Sequence, residues 1–302
     1  MHNHPFERPQ YRGMKQSLRD ELSIAQRNAD FPGVERLARE AIAQSGAPGD
    51  EIDLGNAYCY LGGAMVARHD ARAAVDAYNR SLEAFTRIGN RTGMARATNG
   101  LGVVSLDLEA QVAHARERFE RALPLAREGD DRHLVGVILG NLCEALRFEA
   151  QYRAAIACAD EALAIMLDIG DLPRAAWQKI NVAHCDLLRG RRDEAISSMH
   201  SAYEYLTREG RDARIVAWYF EVWFIILASL HKWEPAATIY GFVQRLRDER
   251  GIVRLQTLMP WLSSPTEAMW RGLRPDRVEE LLNLGARLSM EDAERLAREG
   301  AL

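Results

Sequence analysis

The chain has 302 residues, of which 44 are Ala, 36 are Arg and three are Lys (Lys15, Lys179, Lys232). Hydrophobic residues make up 47% and Pro occurs ten times. That composition excludes a collagen-like, a disordered or an all-β chain, since Ala and Arg rank high in helix propensity and Pro lowest. Basic and acidic residues number 39 and 43, a net charge of −4. There is no basic excess for a phosphate backbone, so nucleic acid is not expected as a direct partner.

The first residues, MHNHPFERPQYRG, lack the apolar stretch of a signal peptide and read as a tail over 1–13. The four Cys, at 59, 143, 158 and 185, form no C-x-x-C pair, which predicts reduced thiols and a cytoplasmic protein. The most apolar run extends from Ile215 to Leu230 and contains Glu221. A spanning helix needs about 20 apolar residues, more than this run supplies, so it predicts a helix buried on all sides.

A repeat begins with SLRDELSIAQRNADFPGVERLAREAIAQSG, a first helical hairpin with Pro32 at the start of its second helix. A Gly followed by a polar residue then recurs at Gly49-Asp50, Gly89-Asn90, Gly129-Asp130, Gly170-Asp171 and Gly210-Arg211, at spacings of 40, 40, 41 and 40. A Gly at such a place ends one helix in the left-handed conformation, and the Asp or Asn after it can cap the next. Between these marks apolar residues recur at helical spacing in two stretches, as in IDLGNAYCYLGGAMVA and ARAAVDAYNRSLEAFTRI. Each unit is therefore a helical hairpin, and one hairpin cannot cover its own apolar faces, so neighbours must stack.

Small and large residues recur at fixed places. Leu61-Gly62 precede Ala74, Tyr78 and Leu82; Leu101-Gly102 precede Ala115, Phe119 and Leu123 with one residue inserted; Leu142-Cys143 precede Ala155 and Leu163; Val182-Ala183 precede Ala195 and Tyr203. The small residues let the helices of a hairpin approach, and the large ones fill the space between hairpins. A sixth, aromatic-rich hairpin follows Gly210 and carries Pro235, Ala236, Ala237 and Tyr240 in its second helix. The pattern resembles the tetratricopeptide repeat, with longer helices and turns than that repeat usually has, over about residues 14–244. That resemblance implies an all-α fold, an α-α superhelix of about six hairpins.

The period stops near Arg245, and 245–302 reads as a helical C-terminal cap. GLRPDRVEELLNLGARLSMEDAERLAREGAL predicts two short helices, the second capped by Ser289 with Asp292 in the reciprocal place of a capping box. AATIYGFVQRLRDERG and LNLGARLSMEDAERLA are similar to the end of the repeat array in bacterial signal-transduction ATPases and LuxR-type regulators of the maltose-activator kind. Gly285, Leu288, Ser289, Glu291, Asp292 and Ala293 match, while Tyr240 and Asn283 depart from the usual Leu and Trp. The resemblance implies a sensor array. The chain has no G-x-x-x-x-G-K-[ST] loop and no helix-turn-helix segment, so the array is expected to act on or with another protein.

No metal-ligand spacing and no nucleophile motif is present; His184 and Cys185 are neighbours on a helix and point about 100° apart. Neither a cofactor nor an enzyme activity is expected. The first helices of stacked hairpins line a concave face. The positions expected toward it hold Asn56, Arg96, Asn99, Asn141, Glu144, Arg147, Trp177, Asn181 and His184. Asn is a poor interior helix residue, yet one stands in four consecutive first helices. Its amide can hold an extended peptide, and Arg147 can pair with a carboxylate. The other reading of these Asn is that they bridge adjacent helices. All six Trp lie at 177 or later, which predicts an aromatic core under the cap or a docking patch for a partner. The function expected is a protein- or peptide-binding adaptor or sensor in bacterial signalling or transcription control, partnered by an ATPase, kinase or DNA-binding regulator. The alternatives are a subunit or homodimer assembled through the aromatic C-terminal region, and an enzyme with an unrecognised site in the groove.

Overall fold

Turn chemistry fixes the length of nearly every helix. A computed structural model describes residues 16–27, 30–45, 49–208, 212–252 and 259–301. The expected tail over 1–13 and the Gly210-Arg211 junction lie outside them. The described residues hold helices and turns and no strand. In chain order the helices are α1 (Gln16–Arg27), α2 (Phe31–Gln44), α3 (Glu51–Ala67), α4 (Ala71–Arg87), α5 (Arg91–Val103), α6 (Val112–Glu128), α7 (Arg132–Phe148) and α8 (Tyr152–Asp168). They continue as α9 (Leu172–Leu188), α10 (Arg192–Arg208), α11 (Ala213–Ser229), α12 (Trp233–Arg250), α13 (Met259–Gly272), α14 (Pro275–Gly285) and α15 (Met290–Ala301). From α3 to α11 each helix but α5 has 17 residues.

One left-handed residue closes each of these turns: Gly49, His69, Gly89, Ala110, Asp130, Ala150, Gly170 and Gly190, with φ between 53° and 105°. The interval from each to the next is constant, except that it is one longer between Gly89 and Ala110. The extra residue is the one inserted after Leu101-Gly102. It is absorbed in one turn of π-helix, Val104–Leu108, where the Glu109 N–H reaches back to the Val104 carbonyl at 3.2 Å. That turn corrects the expected junction at Gly129-Asp130. Gly129 is helical (φ −83°), Asp130 is the left-handed residue (φ 55°), and Asp131 caps α7 by accepting from the Leu134 N–H at 2.9 Å. Everything downstream of the insertion is displaced by one, and Asp tolerates the left-handed region better than most residues. Asn90 and Asp171 cap as expected, accepting from Gly93 and Arg174 at 2.9 and 3.1 Å. The Asp50 side chain makes no such bond to its helix.

The chain forms two compact units, residues 1–138 and 139–302. In the first, rings of the second helices press on glycines of the first helices. The Tyr78 ring lies where a side chain on Gly62 or Gly100 would stand, the Phe85 ring does the same for Gly55 and Gly93, and Phe119 for Gly102. Ala74 and Ala115 are wholly buried beside them. This is the expected exchange of small against large residues, within a hairpin and between hairpins.

In the second unit Ala155, Ala195 and Ala236 repeat the fully buried position. The apolar run forms α11, buried from Ile215 to Ala228. No helix among the described residues is long and apolar enough to cross a membrane. Glu221 is wholly buried on α11 and accepts two bonds from the Arg247 guanidinium of α12, at 3.0 and 2.8 Å. The two expected C-terminal helices are α14 and α15. Ser289 caps α15 by accepting from the Asp292 N–H at 3.1 Å, and its hydroxyl donates to the Asp292 carboxylate at 2.7 Å. The expected boundary at 244/245 falls inside α12, and α13 is a helix the sequence reading did not name. Where α12 crosses α14, a Cβ on Gly241 would stand 2.2 Å from the Leu282 carbonyl oxygen, and one on Gly285 would stand 1.8 Å from that of Thr238.

Gly285→Ala is expected to cost about 1–3 kcal/mol, because backbone rather than a flexible side chain must give way; urea denaturation checks this, and an unchanged midpoint would contradict so close a crossing. Ala110→Gly and Ala150→Gly should each stabilise by about 0.5–1 kcal/mol, because the left-handed penalty on Ala, about 1–2 kcal/mol, exceeds the entropy that Gly adds to the unfolded chain. The same measurement reads both.

Candidate functional site

The nine residues expected on the first helices fall into two groups. Asn56, Arg96 and Asn99 lie in the first unit, on α3 and α5. The Arg96 guanidinium donates to the Asn56 amide oxygen at 3.2 Å and stands 3.6 Å from the Asp131 carboxylate, with half its side chain in solvent. Asn56 therefore bridges two first helices, and Asn99 is buried.

The other six lie in the second unit, on α7 and α9, which face each other. Residues three and four apart share a helix face. Thus Gly140, Glu144 and Arg147 form one row, and Gln178, Asn181 and His184 the other. The Trp177 indole N–H donates to Glu144 at 2.9 Å, and Asn141 is half-buried on the same helix as Glu144. Burial pushes the Glu144 carboxyl above the usual carboxylate range, against the pull of the Arg147 charge and the indole bond. Gly140 has no room for a side chain because the Gln178 amide fills that space. Cys143 takes the small position on α7, wholly buried.

Arg147 is the centre of this group and is 2% exposed. Its Nη1 meets His184 Nδ1. Among the described residues no carboxylate of the chain itself lies within ion-pair distance of its guanidinium, and its side-chain hydrogen bond is to the imidazole. Aromatic rings surround it instead, with Trp261 at 4.4 Å, Trp218 at 5.2 Å and Phe148 at 5.6 Å from the guanidinium carbon. Trp261 also stacks on Phe148 at 4.4 Å and meets the His184 ring edge-on at 4.7 Å. It comes from α13, so the helix absent from the sequence reading supplies the cover of the site.

His184 and Asn181 are wholly buried, and Gln178 is 3% exposed. Arg is always a donor, so His184 Nδ1 must accept and its Nε2 carries the hydrogen, a tautomer assigned from bonding. That Nε2, the Arg147 Nε, both polar atoms of the Asn181 amide, Gln178 Oε1 and the Trp218 indole nitrogen are buried with no hydrogen-bond partner. Buried polar atoms are nearly always satisfied, and each orphan costs about 1–3 kcal/mol. Half of the unsatisfied buried atoms found among the described residues fall on these five residues. Sequence reasoning missed Gln178, Trp218 and Trp261 as site residues. Gln178 is one turn from the noted Asn181, but the two Trp belong to helices whose approach no pattern discloses.

The other expected aromatic role divides the same way. Trp218 and Trp223 are core, while Trp270 is 41% exposed on α13. Among the described residues no group of three His, Cys, Asp or Glu could hold a metal ion.

The sequence matches no protein-family model and no curated protein. Solved structures do match. A Rap protein complexed with competence and sporulation factor superposes with a TM-score of 0.65 at 13% identity, over 93% of this chain and 74% of that one. NprR in complex with its cognate peptide NprX gives 0.62 at 13%, over 95% and 80%. BtubC from P. vanneervenii gives 0.54 at 18%, over 64% and 79%. At these identities the likeness is one of fold. The fold is all-α and tetratricopeptide-like, of the α-α superhelical class.

Burial first, and then the Arg147 charge, hold the His184 pKa well below its ordinary value near 6.5. The folded chain keeps this ring neutral while the unfolded chain takes up a proton below about pH 6.5. Stability is therefore fully present above that pH and lost as the pH falls through it. His184→Gln should flatten this part of the profile, read from urea midpoints between pH 7.5 and 5.

Proposed function

We propose that this chain is a non-catalytic peptide receptor, a regulatory adaptor or sensor whose ligand seats between α7 and α9. The observation that carries the reading is the set of unsatisfied polar atoms on Arg147, Gln178, Asn181 and His184. A folded chain that only needed a core there would have apolar side chains, since these groups lower its stability as it stands. An extended peptide supplies alternating N–H donors and carbonyl acceptors, which is what an Asn and a Gln amide side by side can satisfy. Two solved structures of the same fold support the ligand class: Rap is complexed with competence and sporulation factor, and NprR with its cognate peptide. The likeness of the C-terminal segment to maltose-activator-type regulators supports the finer part, that the peptide signal passes to another bacterial protein, an ATPase, kinase or DNA-binding regulator, in the cytoplasm. The array would run over about 14–244 and the cap over 245–302.

Asn181→Leu separates this from a packing role. It removes two orphaned polar atoms, so the free protein should gain about 1–2 kcal/mol, while capture of peptides from a randomised pool should fall at least about tenfold, the loss of one good contact. A variant that is less stable and captures peptides as before would make Asn181 a core residue and remove the reading.

A further inference from the structure

Near the end of the chain a second set of buried polar side chains stands apart from the Arg147 row. One face of α15 is seated on α11 and α12. Ala293 and Ala297 of that face are wholly buried, and Gly300 comes against Pro235 of α12 and Leu227 of α11. Between the two alanines the same face presents Glu294, buried as well. The apolar stripe of a helix is where an acidic residue is least at home. Its carboxyl accepts one bond, from the Tyr219 hydroxyl of α11 to Oε2 at 2.5 Å, and its Oε1 is buried with no partner. Among the described residues the cation whose charge acts on it is Arg298, one turn further along α15 and exposed.

We infer that Glu294 and Tyr219 form a proton-controlled latch, which holds α15 on α11 while the carboxyl is neutral and loosens it when the carboxyl ionises. The neutral carboxyl leaves one bond unmade. The ionised one is a charge out of water with a single hydroxyl donor, which weakens the contact far more. Burial raises the Glu294 pKa to about 7, against the pull of the Tyr219 bond and of the Arg298 charge. In a released helix the carboxyl returns to its ordinary value of 4.5. A pKa higher in the docked state means that docking is strongest below pH 4.5 and is lost as the pH rises through about 7. The groups around it do not share that window. Tyr219 is pushed up by burial and then by Glu294, and keeps its proton. Tyr203 of α10 stacks on Tyr219 at 6.0 Å. His200 of α10, tilted against Trp223 at 5.9 Å, is held below its ordinary value by burial and then by Arg298. Its contribution is therefore lost as the pH falls, the opposite sense. Pro235, where α12 meets Gly300, carries no charge, and Arg295 is held by Asp292 in solvent. The latch does not involve the α7–α9 site and stands whether or not a peptide binds there.

Hydrogen exchange of the α15 amides in the full chain, corrected for the intrinsic rate at each pH and read by mass spectrometry, tests this. Protection of α15 relative to α11 is expected to fall about tenfold between pH 6 and pH 8.5, the ratio implied by titration at about 7 docked and 4.5 released. Glu294→Gln puts a neutral amide in the same place and should keep α15 protected at every pH. Tyr219→Phe removes the bond that favours the ionised carboxyl, so the fall should move to higher pH. A purely structural role for Tyr219 would lower protection without moving it. Wild-type protection that stays constant over this range overturns the latch. So does a Glu294→Gln chain that keeps the wild-type dependence, or one whose α15 is unprotected throughout. His200→Gln should leave the dependence in place; its loss in that variant would make the imidazole the titrating group and overturn the assignment to Glu294.

Discussion

How closely two helices of equal length can approach governs what this chain is able to build. In the first unit the closeness comes from glycine on one helix and an aromatic ring on the other, with Tyr78 lying across Gly62 and Gly100 and Phe85 across Gly55 and Gly93. In the second it comes from alanine, at Ala155, Ala195 and Ala236, each wholly buried. Equal helices with equal turns make the contacts recur, so each hairpin meets its neighbour through the same positions. One residue too many would carry every later contact off its face, by about 100°. The π turn at Val104–Leu108 prevents that by taking the extra residue within a single turn, and the helices after it resume the interval.

Such packing fills the first-helix faces with small and apolar side chains, and against that background the polar row on α7 and α9 stands out. The same second unit contains a buried charge handled in the ordinary way: Glu221 on α11 meets Arg247 in two good bonds. Arg147 is as deeply buried and has no such partner, only an imidazole nitrogen and ring faces. The contrast between one buried ion paired in full and another met only by an imidazole and rings is what sets the α7–α9 row apart within the unit.

The repeat and its hairpins were legible because they rest on local rules: a left-handed residue at a helix end, a cap after it, small residues at a fixed offset. The slip at Gly129-Asp130 was half legible. The inserted residue could be counted in the sequence, but not that a π turn would take it up and pass the left-handed turn to Asp130. Arg147, Asn181 and His184 were legible as positions on first helices. Their surroundings were not, because Trp218 and Trp261 reach them from α11 and α13, far along the chain, and contacts at such separations leave no period in a sequence. That Arg147 meets an imidazole and ring faces was hidden for the same reason: helix spacing tells which side chains share a face and not which ones find no ionic partner.

The placement of α13 carries the argument one step further. Trp261 lies on the guanidinium, on Phe148 and against His184 at once, so a ligand seated on Arg147 must either share that space or move the ring. Neither α12 nor α14 faces such a choice, because Gly241 and Gly285 lock them backbone to backbone. Of the helices that close the second unit, α13 is thus the one that lies on the Arg147 cluster, while α12 and α14 are held to each other at their glycines. The polar row thus stands on the regular helices, and its aromatic cover on the helix that departs from the repeat.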